Sequence, residues 1–166
     1  MIRKAQSQDA SRLAEILVFA KRTAYRPIFR NDEVSFNDIQ VLDIALDYRD
    51  NAECLKDVYV FDDGIVKGMM SWNRSSENGT EWELKELYVD TFFQNQGIGK
   101  KLLDHFLEHA KEQKVSGVFL WVLEKNQHAR KFYEKQGFYF EGTKELEPGT
   151  TEYICLYKRK IVLEEF

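Results

Sequence analysis

Apolar positions change their spacing several times along these 166 residues, and each change marks an element. Ile2 to Ala5 predicts a short opening strand. Leu13, Ile16, Leu17 and Ala20 then recur at the i, i+3, i+4, i+7 spacing of a helix face, with Ser7 or Asp9 able to cap its start. Tyr25-Arg26-Pro27-Ile28-Phe29 is expected to break that helix, because proline disfavours helical backbone in the residue before it. Ile39, Leu42, Ile44 and Leu46 predict a second, acid-rich helix over about residues 32–50. From Val58 the period shortens. Val58 to Phe61 and Ile65 to Trp72 read as a hairpin around Asp62-Asp63-Gly64, since Asp-Gly supplies the positive φ of a tight turn.

A polar loop, Asn73 to Gly79, leads to a strand over Glu81 to Val89. Gly97 to Gln113 is strongly amphipathic, with Leu102, Leu103, Phe106, Leu107 and Ala110 on one face. Val118 to Leu123 is apolar throughout and long enough only for a buried strand. Asn126 to Gln136 predicts a short helix stopped by Gly137. Phe138 to Phe140 and Thr151 to Tyr157 close the chain as strands paired around Pro148-Gly149. The order βααβββαβαββ predicts an α/β or α+β sandwich around one sheet, in a single domain covering residues 1–166.

Composition narrows the classes. Only 9 glycines and 2 prolines are present, which excludes collagenous and low-complexity chains. No apolar run reaches the roughly 18 residues of a membrane helix, and Met1-Ile2-Arg3-Lys4 opens no signal-peptide core. Cys54 and Cys155 cannot make a disulfide framework or a zinc site, so a reduced cytoplasmic protein is expected. The net charge of −4 argues against nucleic-acid binding. It leaves room for a cationic substrate.

The chemistry concentrates where Leu87-Tyr88-Val89-Asp90 meets Gln94-Asn95-Gln96-Gly97-Ile98-Gly99-Lys100. A strand ends, a polar loop with two glycines follows, and a long helix starts. Amides of such a loop converge, and the helix adds about half a positive charge at its N-terminus. Glycine lets phosphates approach where a Cβ would collide. Lys100 and Lys101 sit in the first helical turn, where the macrodipole disfavours cations by roughly 0.3–1 kcal/mol; a bound polyanion would reverse that misfit. The dinucleotide fingerprint fails, since Leu102 stands where its third glycine belongs, and a Walker loop fails on both spacing and hydroxyl.

Gln94-Asn95-Gln96-Gly97-Ile98-Gly99 resembles the Q/R-x-x-G-x-G/A signature of the GCN5-related N-acetyltransferases (GNAT). The run Leu120-Trp121-Val122, followed by Asn126, Ala129, Phe132-Tyr133-Glu134 and Gly137-Phe138, is similar to that family's second signature. The two are in the family's order, joined by an amphipathic helix and a buried strand, and cover residues 82–140.

The resemblance implies a mixed, mostly antiparallel central sheet flanked by helices, and an enzyme that uses acetyl-CoA without a metal. In that family the loop amides, here Gln96 to Lys100 with Gln94 beside them, hold the pyrophosphate. Strand groups of Leu87, Tyr88 and Val89 take the pantetheine arm, and the amide near Val89 polarises the acetyl carbonyl. Asn126 matches a cofactor-contacting asparagine, although asparagine is also a good helix N-cap. Tyr133 matches the tyrosine that protonates the departing thiolate. Asn126, Arg130 and Tyr133 fall at i, i+4 and i+7, on one helix face.

The acceptor must lose a proton first. An alkylammonium with a pKa near 10.4 costs roughly 4.6 kcal/mol to deprotonate at pH 7. Glu83, fourteen positions before Gly97, matches the base glutamate of the family's histone-acetylating branch. Glu86 is the second choice, on the opposite face by strand alternation. The later-strand base of the ribosomal-protein branch would fall on Trp121, so that mechanism is not supported.

Other signals carry less. His105 and His109 complete an H-x-x-E-H pattern, but the helical repeat puts them well away from the centre of the apolar face, and solvated histidines are expected. Cys54 and Cys155 read as inert thiols. Eight acids against Arg49 and Lys56 between Asn31 and Asp57 read as a solvated face that could also attract a cation. The sequence thus points to transfer of acetyl from acetyl-CoA to a primary amine, a small cationic amine or polyamine being favoured. Tyr25 to Phe29, Trp72 and the 141–153 hairpin are expected to line the acceptor groove. A peptide or protein acceptor, or a non-catalytic acyl-CoA sensor, are the alternatives. A homodimer is left open.

Overall fold

The Asp62-Asp63-Gly64 turn forms as expected in the computed structural model, which describes residues 1–74 and 79–163. Gly64 takes φ 107°, and its N–H donates to Asp62 Oδ1 at 2.9 Å. The turn joins β2 (Val58–Asp62) to β3 (Val66–Asn73). Residues 75–78 of the expected polar loop lie outside the described residues. The remaining strands are β1 (Ile2–Lys4), β4 (Glu81–Val89), β5 (Gly117–Leu123), β6 (Tyr139–Leu146) and β7 (Tyr153–Lys160). Together they form one seven-stranded sheet in the order β1-β2-β3-β4-β5-β7-β6. The β4–β5 pair is parallel; β1–β2, β2–β3, β5–β7 and β6–β7 are antiparallel.

The helices are α1 (Ala10–Phe29), α2 (Asp32–Phe36), α3 (Val41–Asp50), α4 (Ile98–Glu112) and α5 (Gln127–Lys135). Two expectations need correction. The first helix runs through Pro27. The ring sits in the last turn, where it removes a single ladder bond. Tyr25 and Phe29 pack edge to face at 5.8 Å, the i, i+4 contact of a helix, and Arg30 ends the helix at φ 50°. Second, the helix expected over 32–50 is two, so the order carries one helix more than expected. Asn31 caps α2, its Oδ1 accepting from Glu33 N–H and Val34 N–H. Gln40 then donates to the Phe36 and Asn37 carbonyls, and Arg22 takes those of Ser35 and Ile39. Side chains satisfy carbonyls that a continuous helix would have satisfied internally.

The chain forms two compact units, Met1–Trp72 with Glu86–His105, and Asn73–Lys85 with Phe106–Phe166. In the first, Leu13, Ile16, Leu17 and Val18 of α1 pack with Tyr48, Val58, Val60, Val66 and Met69. The alternate residues of β2 meet α4: Tyr59 lies 5.3 Å from the His105 ring, and Lys101 sits over Phe61. Helices α1 and α4 therefore cover opposite faces of β2. Gly68 on β3 sets how closely α4 sits. A Cβ there would lie 3.0 Å from Ile98 Cγ2, 3.0 Å from Leu102 Cδ1 and 3.3 Å from the Tyr88 carbonyl. Gly68→Val is expected to cost about 1–3 kcal/mol by overpacking, lowering the thermal midpoint by roughly 2–4 °C per kcal/mol. An unchanged melting curve would mean that α4 yields freely.

In the second unit β5 is buried along the face of Val118, Leu120 and Val122, is half-buried at Phe119 and Trp121 on the other, and pairs with β7 along its whole length. The edge strand β6 is exposed at all eight positions, and its register against β7 breaks between Phe140 and Lys144. Cys155 and Tyr157 on β7 are fully buried. The Tyr157 hydroxyl accepts from Arg130 Nε and donates to Glu134 Oε1, both at 2.8 Å, which fastens α5 to β7.

Candidate active site

In the first unit, β4 ends at Val89 and hands over to the loop through Asp90. The Asp90 N–H donates to the Lys67 carbonyl at 2.8 Å. Its Oδ1 accepts from Phe92 N–H and its Oδ2 from Arg12 Nη2, both at 2.9 Å. Arg12 also donates to the Val66 carbonyl at 2.7 Å, so α1 anchors the start of the loop to β3. Sequence reasoning missed this brace, although an aspartate two residues before the amide it caps is a known turn former.

Gln94 Nε2 then reaches back to the Val89 carbonyl at 3.2 Å. Asn95 and Gly97 take left-handed φ values of 61° and 81°, a backbone alternation that turns successive N–H groups toward one concavity. Residues Gln94 to Gly97 are exposed and Ile98 is buried. The first α4 ladder bond runs from Lys101 N–H to the Gly97 carbonyl at 3.1 Å. The N–H groups of Ile98, Gly99 and Lys100 therefore precede the ladder and have no acceptor within the helix. Among the described residues, a Cβ on Gly97 would meet no atom within 4 Å beyond its chain neighbours. The space before these amides is open, as an anion cradle requires. Lys100 pairs with Asp104 at 2.6 Å and Lys101 lies over Phe61, so both helix-start cations are compensated within the chain.

Glu86 and Tyr88 face the last turns of α1. Lys21 Nζ lies 3.9 Å from Glu86 Oε1, and the Tyr25 and Tyr88 hydroxyls are 3.2 Å apart. Tyr25 was expected near an acceptor; its phenol partner and Lys21 were not foreseen. Trp72 does not line a groove. It is 3% exposed and stacked on Tyr59 at 4.5 Å.

In the second unit, Glu83 is half-buried and in register with Phe119. Burial pushes its carboxyl above the usual glutamate range, against the opposing pull of Lys85. The β4–β5 ladder covers Glu81–Glu83 and Gly117–Phe119 and stops there, while β4 runs on to Val89 and β5 to Leu123. Asn126 is the N-cap of α5, its Oδ1 accepting from Ala129 N–H at 3.2 Å. Tyr133 is half-buried, its ring edge to face with Phe132 at 5.1 Å and with Phe138 at 5.7 Å. Arg130, expected on the same face, turns to Tyr157 and to the Glu124 carbonyl.

The histidines correct another expectation. Both are half-buried, His105 against Tyr59 and His109 against Trp82 at 5.7 Å, because residues flanking an apolar stripe pack their rings along its border. Among the described residues no group of three or more potential ligands could hold a metal, and no helix is long and apolar enough to cross a membrane. Burial raises the Cys155 thiol above its ordinary value, which makes it a poor nucleophile.

Residues 14–138 match the model of the Acetyltransferase (GNAT) family. The chain belongs to this family. Over 72 residues it is 33% identical to the spermine/spermidine N(1)-acetyltransferase of Bacillus subtilis (strain 168), a match covering 43% of the chain and 47% of that relative. The chain thus spans about half the length of its polyamine-acetylating GNAT relatives. It is 30% identical over 134 residues to the uncharacterized N-acetyltransferase YuaI of the same strain, covering 75% of the chain and 72% of the relative. The GNAT fold is also that of a solved structure, the PaiA N-acetyltransferase of Thermoplasma acidophilum in complex with coenzyme A. That structure has a TM-score of 0.73 and 22% identity, over 96% of this chain and 98% of that one.

Proposed function

We propose that the chain is a single acetyltransferase domain, residues 1–166 with its cofactor-binding part at about 82–140, that transfers the acetyl group of acetyl-CoA to a primary amine in a reducing cytoplasm. The observation that carries this reading is the strand–loop–helix of residues 87–100: exposed from Gln94 to Gly97, left-handed at Asn95 and Gly97, and presenting amides without helical acceptors. Amides of Gln96 to Lys100, with Asn95 shaping the turn and Gln94 flanking it, hold the pyrophosphate. Backbone groups of Leu87, Tyr88 and Val89, past Glu83 where the β4–β5 ladder ends, take the pantetheine amides in the manner of an added strand. Asn126 adds a contact beside its capping role.

Glu83 serves as base, directly or through water. The freed amine nitrogen attacks the acetyl carbonyl carbon, the N–H near Val89 supports the developing oxyanion, the proton left in excess on the nitrogen passes to solvent, and the C–S bond breaks. Tyr133 protonates the thiolate. The polyamine-acetylating relative favours a small cationic amine as acceptor.

CoA release measured over a panel of polyamines, monoamines and lysine peptides tests the reading. Turnover with the amines supports it, turnover confined to peptides would move it to a protein acceptor, and tight acetyl-CoA binding without turnover would make the chain a sensor. A pH profile tests Glu83. Because burial raises its carboxyl, the base form is lost at a higher pH than in an exposed glutamate, and kcat/KM should fall on the acid side with an inflection above about 4.3. Glu83→Gln should remove that inflection and leave the limb set by the acceptor's own ammonium. An unchanged acid limb in the mutant would exclude Glu83 as base.

A further inference from the structure

The final turns of α1 meet the far half of β4 in a cluster that the transfer chemistry leaves unused. Lys21 and Tyr25, one helical turn apart on the same face of α1, lie against Glu86 and Tyr88. The Lys21 ammonium is 5.9 Å from the centroid of the Tyr88 ring, at the range of a cation–π contact. It is 3.9 Å from Glu86 Oε1, well beyond the 2.7–2.9 Å typical of a charge-assisted hydrogen bond. The Tyr88 hydroxyl is bridged to Tyr25, which fixes the ring that the ammonium faces. Tyr48, 8% exposed, borders the same carboxylate: burial and the charge of Glu86 both oppose ionisation of its phenol. Side chains of Lys21 and Glu86 are 26% and 24% exposed, so solvent reaches the pair.

An aromatic face and a carboxylate, both held by neighbours, are the groups that receive an alkylammonium. Here an alkylammonium of the chain itself stands between them, too far from Glu86 to hydrogen-bond. Residue 86 lies three positions before Val89 on the same strand, whose end meets the acetyl group in the reading above.

Resting on the acetyltransferase reading above, we infer that Glu86 and Tyr88 form a subsite for the second, non-reacting ammonium of a di- or polyamine acceptor, with Lys21 as its internal competitor. Glu86 is then a specificity residue. It sets which amines bind in register with the acetyl group and takes no proton from them.

Steady-state kinetics on the full chain, with spermidine and with a singly charged alkylamine of similar length, provide the test. The readout is the ratio of kcat/KM for spermidine to that for the monoamine. Glu86→Gln should lower this ratio at least 10-fold, mainly through the KM of spermidine. Lys21→Met keeps the carboxylate and removes the competitor, and should raise the ratio 3-fold or more. A ratio unchanged in both variants, or lowered in Lys21→Met, overturns the subsite. So does an equal loss of kcat on both amines in Glu86→Gln, which would make Glu86 a base. A wild-type chain that releases CoA with neither amine nor peptide overturns the acetyltransferase reading and the subsite with it; wild-type turnover with an unmoved ratio overturns the subsite alone.

Discussion

Valine at Gly97 is expected to weaken coenzyme A binding at least 10-fold, about 1.4 kcal/mol, in a calorimetric titration. Two effects must be separated. The residue holds φ 81°, which any L side chain resists by roughly 1–2 kcal/mol, so the thermal midpoint should fall as well. The added Cβ, however, meets no atom of the described residues within 4 Å beyond its chain neighbours and collides with what approaches the loop amides. Gly64 supplies the control. It has φ 107° and equally open surroundings, but lies in the β2–β3 turn. Gly64→Val should therefore lose stability and keep its affinity. Equal affinities in the two folded variants would remove the loop as a pyrophosphate cradle.

Tyr133→Phe is expected to lower kcat by 10-fold or more, within the roughly 10²–10⁴-fold reach of a general acid, with acetyl-CoA affinity changed by less than about 1 kcal/mol. Thiolate departure is harder in a dry site than in water, and the phenol eases it. The ring is gripped from two sides, by Phe132 and Phe138, and phenylalanine preserves both contacts. The melting midpoint should stay within about 2–4 °C of the parent. Full turnover in the variant would make the tyrosine a packing residue, and a joint loss of affinity and stability would do the same.

Most strands and the loop were legible because they rest on local chemistry, although β6, expected over Phe138 to Phe140, runs over Tyr139–Leu146. Alternation in β2 and β3, the Asp-Gly turn, the apolar run of β5 and the cap at Gly137 need no knowledge of distant partners. Where long-range bonds decide, the sequence misled. Pro27 lies inside α1 because it meets only the last turn, and the split between α2 and α3 depends on Arg22, thirteen and seventeen residues from the carbonyls it takes. The site divides in the same way. Gln94 to Lys100 could be read from a contiguous motif. The Arg12–Asp90 brace, separated by 78 residues, and the Lys21–Glu86 pair could not. Trp72 and the two histidines were misplaced for a related reason: their residue types suit exposed or groove positions, and only tertiary stacking against Tyr59 and Trp82 draws them inward.

The two ends of the sheet bear on how the protein behaves when concentrated. A sheet edge is a template on which further chains can polymerise, and long flat edges lead toward fibrils. At one end β1 offers three residues. At the other, β6 is eight residues long and carries Tyr139, Phe140 and Leu146 in the open, a composition that invites such growth. The displaced register between Phe140 and Lys144, with Gly142 at φ 107°, is an irregularity of the kind that bends an edge strand and makes it a poorer template for an incoming one. The broken pairing thus acts as a guard against self-templated aggregation, and straightening it would trade solubility for regularity.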